Sequence, residues 1–281
     1  MRTGGDGGLP TFLLAGFPKA GTTSFAAWLS DHPSVFVPPR KEIDYFDVHW
    51  DRGLDWYRDQ LRGAAPGQIV GDASPRYVVH PRCHARIAEV LPDVRVVVLV
   101  REPVGRAVSH YWYVRDVLRR DLPPLAEVVE LELTATDEDP GTGTVAWGRY
   151  HHYLELLAQA IDRDRIRVVT LDALRERPDA VFAEVCEVIG ADPSTRPRSL
   201  GTTRNAAFRH RSERLYHLML QHHLYDRLPW GLGYRLEELN RRSVSHGPED
   251  PAVLERLRAH YAPHNAALTS WVGELPPRWA T

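Results

Sequence analysis

Lysine is almost missing from this chain. Of 281 residues only Lys19 and Lys41 are lysines, although lysine and arginine together number 35. Arginine therefore carries nearly all the positive charge, as the codon bias of a GC-rich genome produces. An ammonium kept against that bias suits a place that needs a compact, flexible point charge instead of a planar fork. Cysteine is equally scarce: Cys83 and Cys186 have no metal or redox spacing, which implies no disulfide framework. Buried reduced thiols are expected. The longest apolar run, Val96–Val100, is far too short to cross a bilayer. The Gly-rich start MRTGGDGGLP lacks the apolar core of a secretion signal. No membrane anchor and a cytoplasmic location are expected. Formal net charge is only −2, so no global basic field invites nucleic acid, and any anion site must be local. The 14 histidines show no H-E-x-x-H or comparable ligand spacing, and no metal is expected.

What is present is an ordinary globular composition, 43% hydrophobic and 26% charged, with ample length for a sizeable core. Thr11–Phe17 is short, apolar and followed by a Gly/Pro turn, which predicts a buried strand. From Thr22 to about Ser30, Phe25, Trp28 and Leu29 recur at helical spacing. Leu54–Leu61 and Pro81–Leu91 predict amphipathic helices, with a short strand Ile69–Asp72 between them. Val94–Val100 is a near-continuous Val/Leu run, the mark of a central parallel strand covered on both faces. Pro103 at a first turn launches a helix to about Leu118. Helices are also predicted over Leu125–Leu133, about Val145–Ile161 and about Ala180–Ile189, with a strand over Ile166–Leu171. Thr134–Thr144 predicts a mobile surface loop and Ala191–Thr203 a long loop. Asp250-Pro251 is a good helix start, and Pro263 predicts a break or kink. The alternation argues for a P-loop-like α/β fold. It places a single domain over residues 11–281, with a mostly parallel central sheet flanked by helices, behind a flexible tail at 1–10.

The segment Gly16-Phe17-Pro18-Lys19-Ala20-Gly21-Thr22-Thr23 leads from strand to helix. Such a turn aims backbone N–H groups and the positive end of the helix dipole at one spot, which binds phosphate almost generically. The spacing Gly16-x4-Gly21 matches a Walker A loop, but Thr22 fills the lysine position and the lysine sits three residues earlier. The later strand ends in Arg101, not in the aspartate that holds Mg²⁺ in P-loop NTPases. The chain has phosphate-cradling parts without obvious metal-holding parts.

Here a family resemblance becomes specific. GFPKAGTTSFAAWLSDHP resembles the 5′-phosphosulfate loop of sulfotransferases that use 3′-phosphoadenosine 5′-phosphosulfate (PAPS). VVLVREPVGRAVSHY resembles their 3′-phosphate segment, in which an arginine at the strand end and a serine eight residues later hold that phosphate; the matching positions are Arg101 and Ser109. Lys41-Glu42-Ile43-Asp44-Tyr45-Phe46-Asp47 is similar to the K-E-x-H-F-F-D stretch of heparan-sulfate-type and many bacterial members. Gly71-Asp72-Ala73-Ser74-Pro75-Arg76-Tyr77 resembles their E-x-S-P-x-Y stretch, and the segment from Tyr261 to Trp279 their closing helix.

The resemblance implies a PAPS-dependent sulfotransferase acting on a hydroxyl of a carbohydrate or secondary metabolite. Lys19 would meet the leaving phosphate and Glu42 would be the base. Lys19, Ala20, Gly21, Thr22, Thr23, Arg101 and Ser109 would bind the donor, and Lys41, Asp72 and Tyr77 are candidates for the acceptor side. Sulfuryl transfer, like phosphoryl transfer, is governed by positioning and electrostatics, and an enclosed carboxylate gains basicity. Two departures stand out. Asp44 occupies the usual histidine position, and Ala73 occupies the place where animal heparan-type enzymes carry a lysine near the base. That help is then absent or comes from Lys41 or Arg76. Trp50, Trp56, Tyr57, Tyr77, Trp147 and Tyr150 could stack on an acceptor or simply pack. Arg204 or Arg209 could close on the phosphates. A P-loop-type small-molecule kinase and a non-catalytic nucleotide-binding module stay open as alternatives.

Overall fold

The structure, a computed structural model, describes residues 8–39, 42–134, 140–202, 208–221, 236, 239–244 and 246–279. Lys41 and Arg204 lie outside the described residues. Five parallel strands form the central sheet: β1 (Phe12–Gly16), β2 (Val35–Phe36), β3 (Ile69–Asp72), β4 (Arg95–Val100) and β5 (Ile166–Thr170), in the order β2-β3-β1-β4-β5. β1 and Val96–Val100 of β4 are wholly buried, as strands covered by helices on both faces must be. β1 lies between β3 and β4, pairing Leu13 with Asp72 on one side and Val96 on the other. Gly71 makes that pairing possible, because a Cβ there would meet the Phe12 ring at 2.1 Å.

The helices follow in chain order: α1 (Thr22–Ser30), α2 (Gly53–Leu61), α3 (Pro81–Val90), α4 (Pro103–Asp116), α5 (Leu125–Glu132), α6 (Tyr150–Ala158), α7 (Leu171–Glu176), α8 (Pro178–Ile189), α9 (Glu213–Gln221) and α10 (Pro251–Val272). Asp250 caps α10 by accepting from the Ala252 N–H at 2.9 Å. Pro263 sits inside α10, which continues through it instead of breaking. The expected helix over 145–161 is shorter, because Arg149 leaves helical geometry between a 3₁₀ turn (Ala146–Gly148) and α6.

The described part of the expected mobile loop, residues 140–144, is pinned. Glu132 accepts from the N–H of Thr142 and of Val145, Arg106 donates to the Thr144 carbonyl, and His110 bonds the Thr142 carbonyl. A second sheet pairs β6 (Phe208–His210) antiparallel with β7 (Arg241–Ser243), neither of which the sequence pattern marked. At the far end of the chain Trp279 donates to buried Asp172, and Asn265 donates to the Trp279 carbonyl, fastening the last described residues to α7 and α10.

The chain runs from β1 out to β2, returns through β3 beside β1, and then crosses to β4 on the other side of β1. In open α/β sheets such a switch point places the ligand crevice beyond the C-terminal ends of the strands. Gly16, Asp72 and Val100 end their strands at that edge.

Candidate active site

The turn after β1 is shaped by close contacts. Gly16 has φ 152°, and a Cβ on it would stand 2.8 Å from the Leu99 carbonyl oxygen of β4. Lys19 takes a left-handed φ of 76°, which a side chain rarely adopts without surrounding support. Gly21, at φ 99°, immediately precedes α1, which has no side-chain cap at its N-terminus. The positive end of α1 is thus open to an anion. Thr22 is buried and Thr23 half-buried, while Ala20 is buried.

β4 delivers the second half of the site. The Glu102 carboxylate caps α4, accepting from Val104 at 2.7 Å and Gly105 at 2.6 Å. A Cβ at Gly105 would meet Glu102 at 2.9 Å and the Arg101 guanidinium at 3.3 Å, so glycine lets Arg101 lie across the first turn. From there Arg101 donates to the Lys19 carbonyl at 3.5 Å, tying the two motifs together. Ser109 is half-buried, further along α4. One turn beyond it, the Tyr113 ring faces the Lys19 ammonium, 4.8 Å from its centroid. The sequence pattern did not single out Tyr113; an aromatic ring one helical turn past Ser109 was the available signal.

Three further charges act on Lys19. Burial lowers its pKa to about 8, the Arg101 charge lowers it too, Glu42 raises it, and Arg241 of β7 lowers it. Glu42 therefore stands near the phosphate loop although 23 residues separate it from Lys19 in the chain. It is exposed, not enclosed as expected, and takes φ 62°. Asp44 follows in the same strained region at φ 51°. Burial raises its carboxyl to about 7, with Glu42, Asp72 and Asp47 adding to the rise and Arg76 opposing it. Its Oδ1 is buried without a hydrogen-bond partner among the described residues.

Asp72 and Tyr77, expected on the acceptor side, are both buried. Asp72 is 0% exposed. Its Oδ2 accepts from the hydroxyls of Tyr57 and Tyr77, each at 2.8 Å, and its Oδ1 from Ser74 at 2.7 Å. The Tyr77 ring is buried against Phe46, 5.3 Å between centroids. Tyr57 stacks on Tyr45 at 4.3 Å, and the Tyr150 hydroxyl donates to the Arg101 carbonyl, so these tyrosines build the wall from behind. Trp50, Trp56 and Trp147 stay half-buried. Arg76 and Arg82 both pair with the buried carboxylate of Asp47. Of Arg209, only its backbone place on β6 is described.

A model of the sulfotransferase domain matches residues 9–214. The chain belongs to the sulfotransferase domain family. Members of that family are PAPS-dependent enzymes. Among curated proteins, human heparan sulfate glucosamine 3-O-sulfotransferase 3B1 is 30% identical over 182 residues, 65% of this chain and 46% of that protein. The membrane-associated sulfotransferase kil1 of Dictyostelium discoideum is 31% identical over 122 residues, 42% of this chain and 26% of that protein. The chain spans about half or less of the length of these curated relatives. A solved sulfotransferase from Alicyclobacillus acidocaldarius superposes with a TM-score of 0.72 at 20% identity, covering 97% of this chain and 99% of that one, which shows a shared fold. No described helix of this sulfotransferase-family chain is long and apolar enough to cross a membrane.

Proposed function

We propose that this chain transfers a sulfo group from PAPS to a hydroxyl of a carbohydrate or secondary metabolite, with Glu42 as the base and Lys19 at the leaving phosphate. The observation that carries the reading is the convergence of Lys19, Arg101 and Glu42, from three separate segments, near one strand-end crevice. The donor set suits a nucleotide with two phosphate groups: an uncapped helix end, a half-buried ammonium and a guanidinium. PAPS, when bound, supplies a sulfo group already activated by its link to phosphate.

The chain's own groups then divide the work. The amides and hydroxyls of Thr22 and Thr23, with Lys19, would hold the 5′-phosphate. Arg101 and Ser109 would hold the 3′-phosphate. The flexible ammonium of Lys19 can follow negative charge as it builds on the leaving oxygen, which a planar guanidinium does less well. Glu42, exposed at the crevice, is reachable by an acceptor hydroxyl and would take its proton as the oxygen attacks. Arg241 is a further candidate for the donor phosphates, since its charge already acts on Lys19. A carbohydrate acceptor fits the relatives that carry heparan sulfate glucosamine in their names.

The test is formation of adenosine 3′,5′-bisphosphate from PAPS against an acceptor panel that includes heparan sulfate oligosaccharides and 4-nitrophenyl glycosides. ATP with Mg²⁺ serves as the kinase control. Product that requires an acceptor supports the reading; phosphate transfer from ATP, or nucleotide binding without any turnover, overturns it.

A further inference from the structure

The turn that carries Glu42 is unusual in its backbone. Glu42 and Asp44 both lie in the left-handed region, at φ 62° and 51°, and neither is glycine. L-residues persist there only where surrounding contacts over-determine them. Those contacts come from the end of β3. The Glu42 N–H donates to the Ala73 carbonyl at 3.0 Å, and the Asp44 N–H donates to the Ser74 hydroxyl at 3.1 Å. On its other side the Asp44 carbonyl accepts from Val48 at 2.8 Å and His49 at 3.1 Å.

Ser74 is itself aimed. Its hydroxyl has one proton, which it donates to Asp72 at 2.7 Å, leaving its lone pairs directed at the Asp44 N–H. Asp72 is fixed in turn by the Tyr57 and Tyr77 hydroxyls, and Asp72 and Ser74 are both 0% exposed. A buried carboxylate without a cationic partner is costly unless hydrogen-bonded, and here three hydroxyl donors satisfy it. Stacking of Tyr57 on Tyr45, which lies one residue past Asp44, locks the same turn from its far side.

We propose that Asp72 is a positioning residue: acting through the Ser74 hydroxyl, it holds the Glu42–Asp44 turn in its left-handed conformation and so sets where the Glu42 carboxylate stands. Asp72 meets no substrate. It is an anchor of the rigid sheet that aims a base lying 30 residues earlier in the chain. The inference rests on the reading of Glu42 as the base.

The decisive variant is Ser74→Ala, which leaves Asp72 and both tyrosines in place but cuts the link to the turn. Expected is a fall in kcat of about tenfold to a hundredfold. Affinity for adenosine 3′,5′-bisphosphate should stay within about twofold, and Ser74→Thr should recover most of kcat because it keeps the hydroxyl. Tyr57→Phe and Tyr77→Phe each remove one donor from Asp72 and should lower kcat about threefold to tenfold, again without moving nucleotide affinity. If Ser74→Ala fails to fold, the two tyrosine variants decide. Wild-type kcat in the folded variants, with only a lower melting temperature, overturns the proposal. Glu42→Gln, measured alongside, separates the two ideas. Retained turnover in Glu42→Gln overturns the base assignment, whereas an inactive Glu42→Gln beside a fully active Ser74→Ala overturns the positioning role alone.

Discussion

The two halves of the crevice are built in opposite ways. The donor end is contiguous in sequence: β1, its glycine turn and α1 form one unit, and β4, Glu102 and α4 form another. Each has a local device, Gly21 before α1 and Gly105 beneath Arg101, and the two units meet where Gly16 packs against Leu99 of β4. The acceptor edge has no such unit. Its two strained residues are held by partners 30 or so positions away, through Ala73, Ser74 and a carboxylate in the core. A site that must recognise one fixed nucleotide can be written as a motif. The edge that holds the proposed base is left to the tertiary fold.

Four measurements would break or sharpen that comparison. Glu42→Gln should carry the largest effect, a loss of about 10³-fold in kcat, with affinity for adenosine 3′,5′-bisphosphate close to wild type by calorimetry. Lys19→Ala should differ in kind, losing about 10²-fold to 10³-fold in kcat/KM together with nucleotide affinity. If both variants weaken the nucleotide equally, the division into donor end and acceptor edge is wrong. Gly16→Ala should leave the acceptor edge alone and cost about 2 kcal/mol of stability in a denaturant titration, since the Cβ has backbone and no flexible side chain to push against on the β4 side. A wild-type midpoint would mean that β1 and β4 shift apart freely.

The smallest effect is pH dependence. With a pKa of about 8, Lys19 in the free enzyme is charged below that pH and loses its proton above it. Nucleotide affinity should therefore fall as pH rises through 8, by up to about tenfold per unit for a fully proton-coupled contact. The acceptor edge titrates lower, where Asp44 ionises near 7. Asp44→Asn should remove an inflection near pH 7 from the kcat/KM profile and leave the limb near 8 in place. A profile in which both limbs vanish together would show that the two halves are coupled.

Much of this was legible beforehand for a physical reason. β4 announced itself because a strand covered on both faces needs no polar alternation, and α4 because Pro103 presets its first turn. Residues 140–144 of the expected loop are held by Glu132 at the end of α5 and by Arg106 of α4, ties that a polar, Gly-containing stretch does not announce. β2, β6 and β7 are two or three residues long and too short for any periodicity to show. Asp72 read as a turn residue near the acceptor because a sequence shows a carboxylate's identity and not its depth.

The sequence by itself determined the fold class, the phosphate loop with its displaced lysine, and the arginine at the end of β4, because each is encoded within one strand–turn–helix unit. Only the tertiary structure decided which carboxylates meet solvent and which are buried and hydrogen-bonded. That distinction depends on burial and on hydrogen bonds between Tyr57, Asp72, Ser74 and Asp44, which the chain brings together only when β3 has paired with β1.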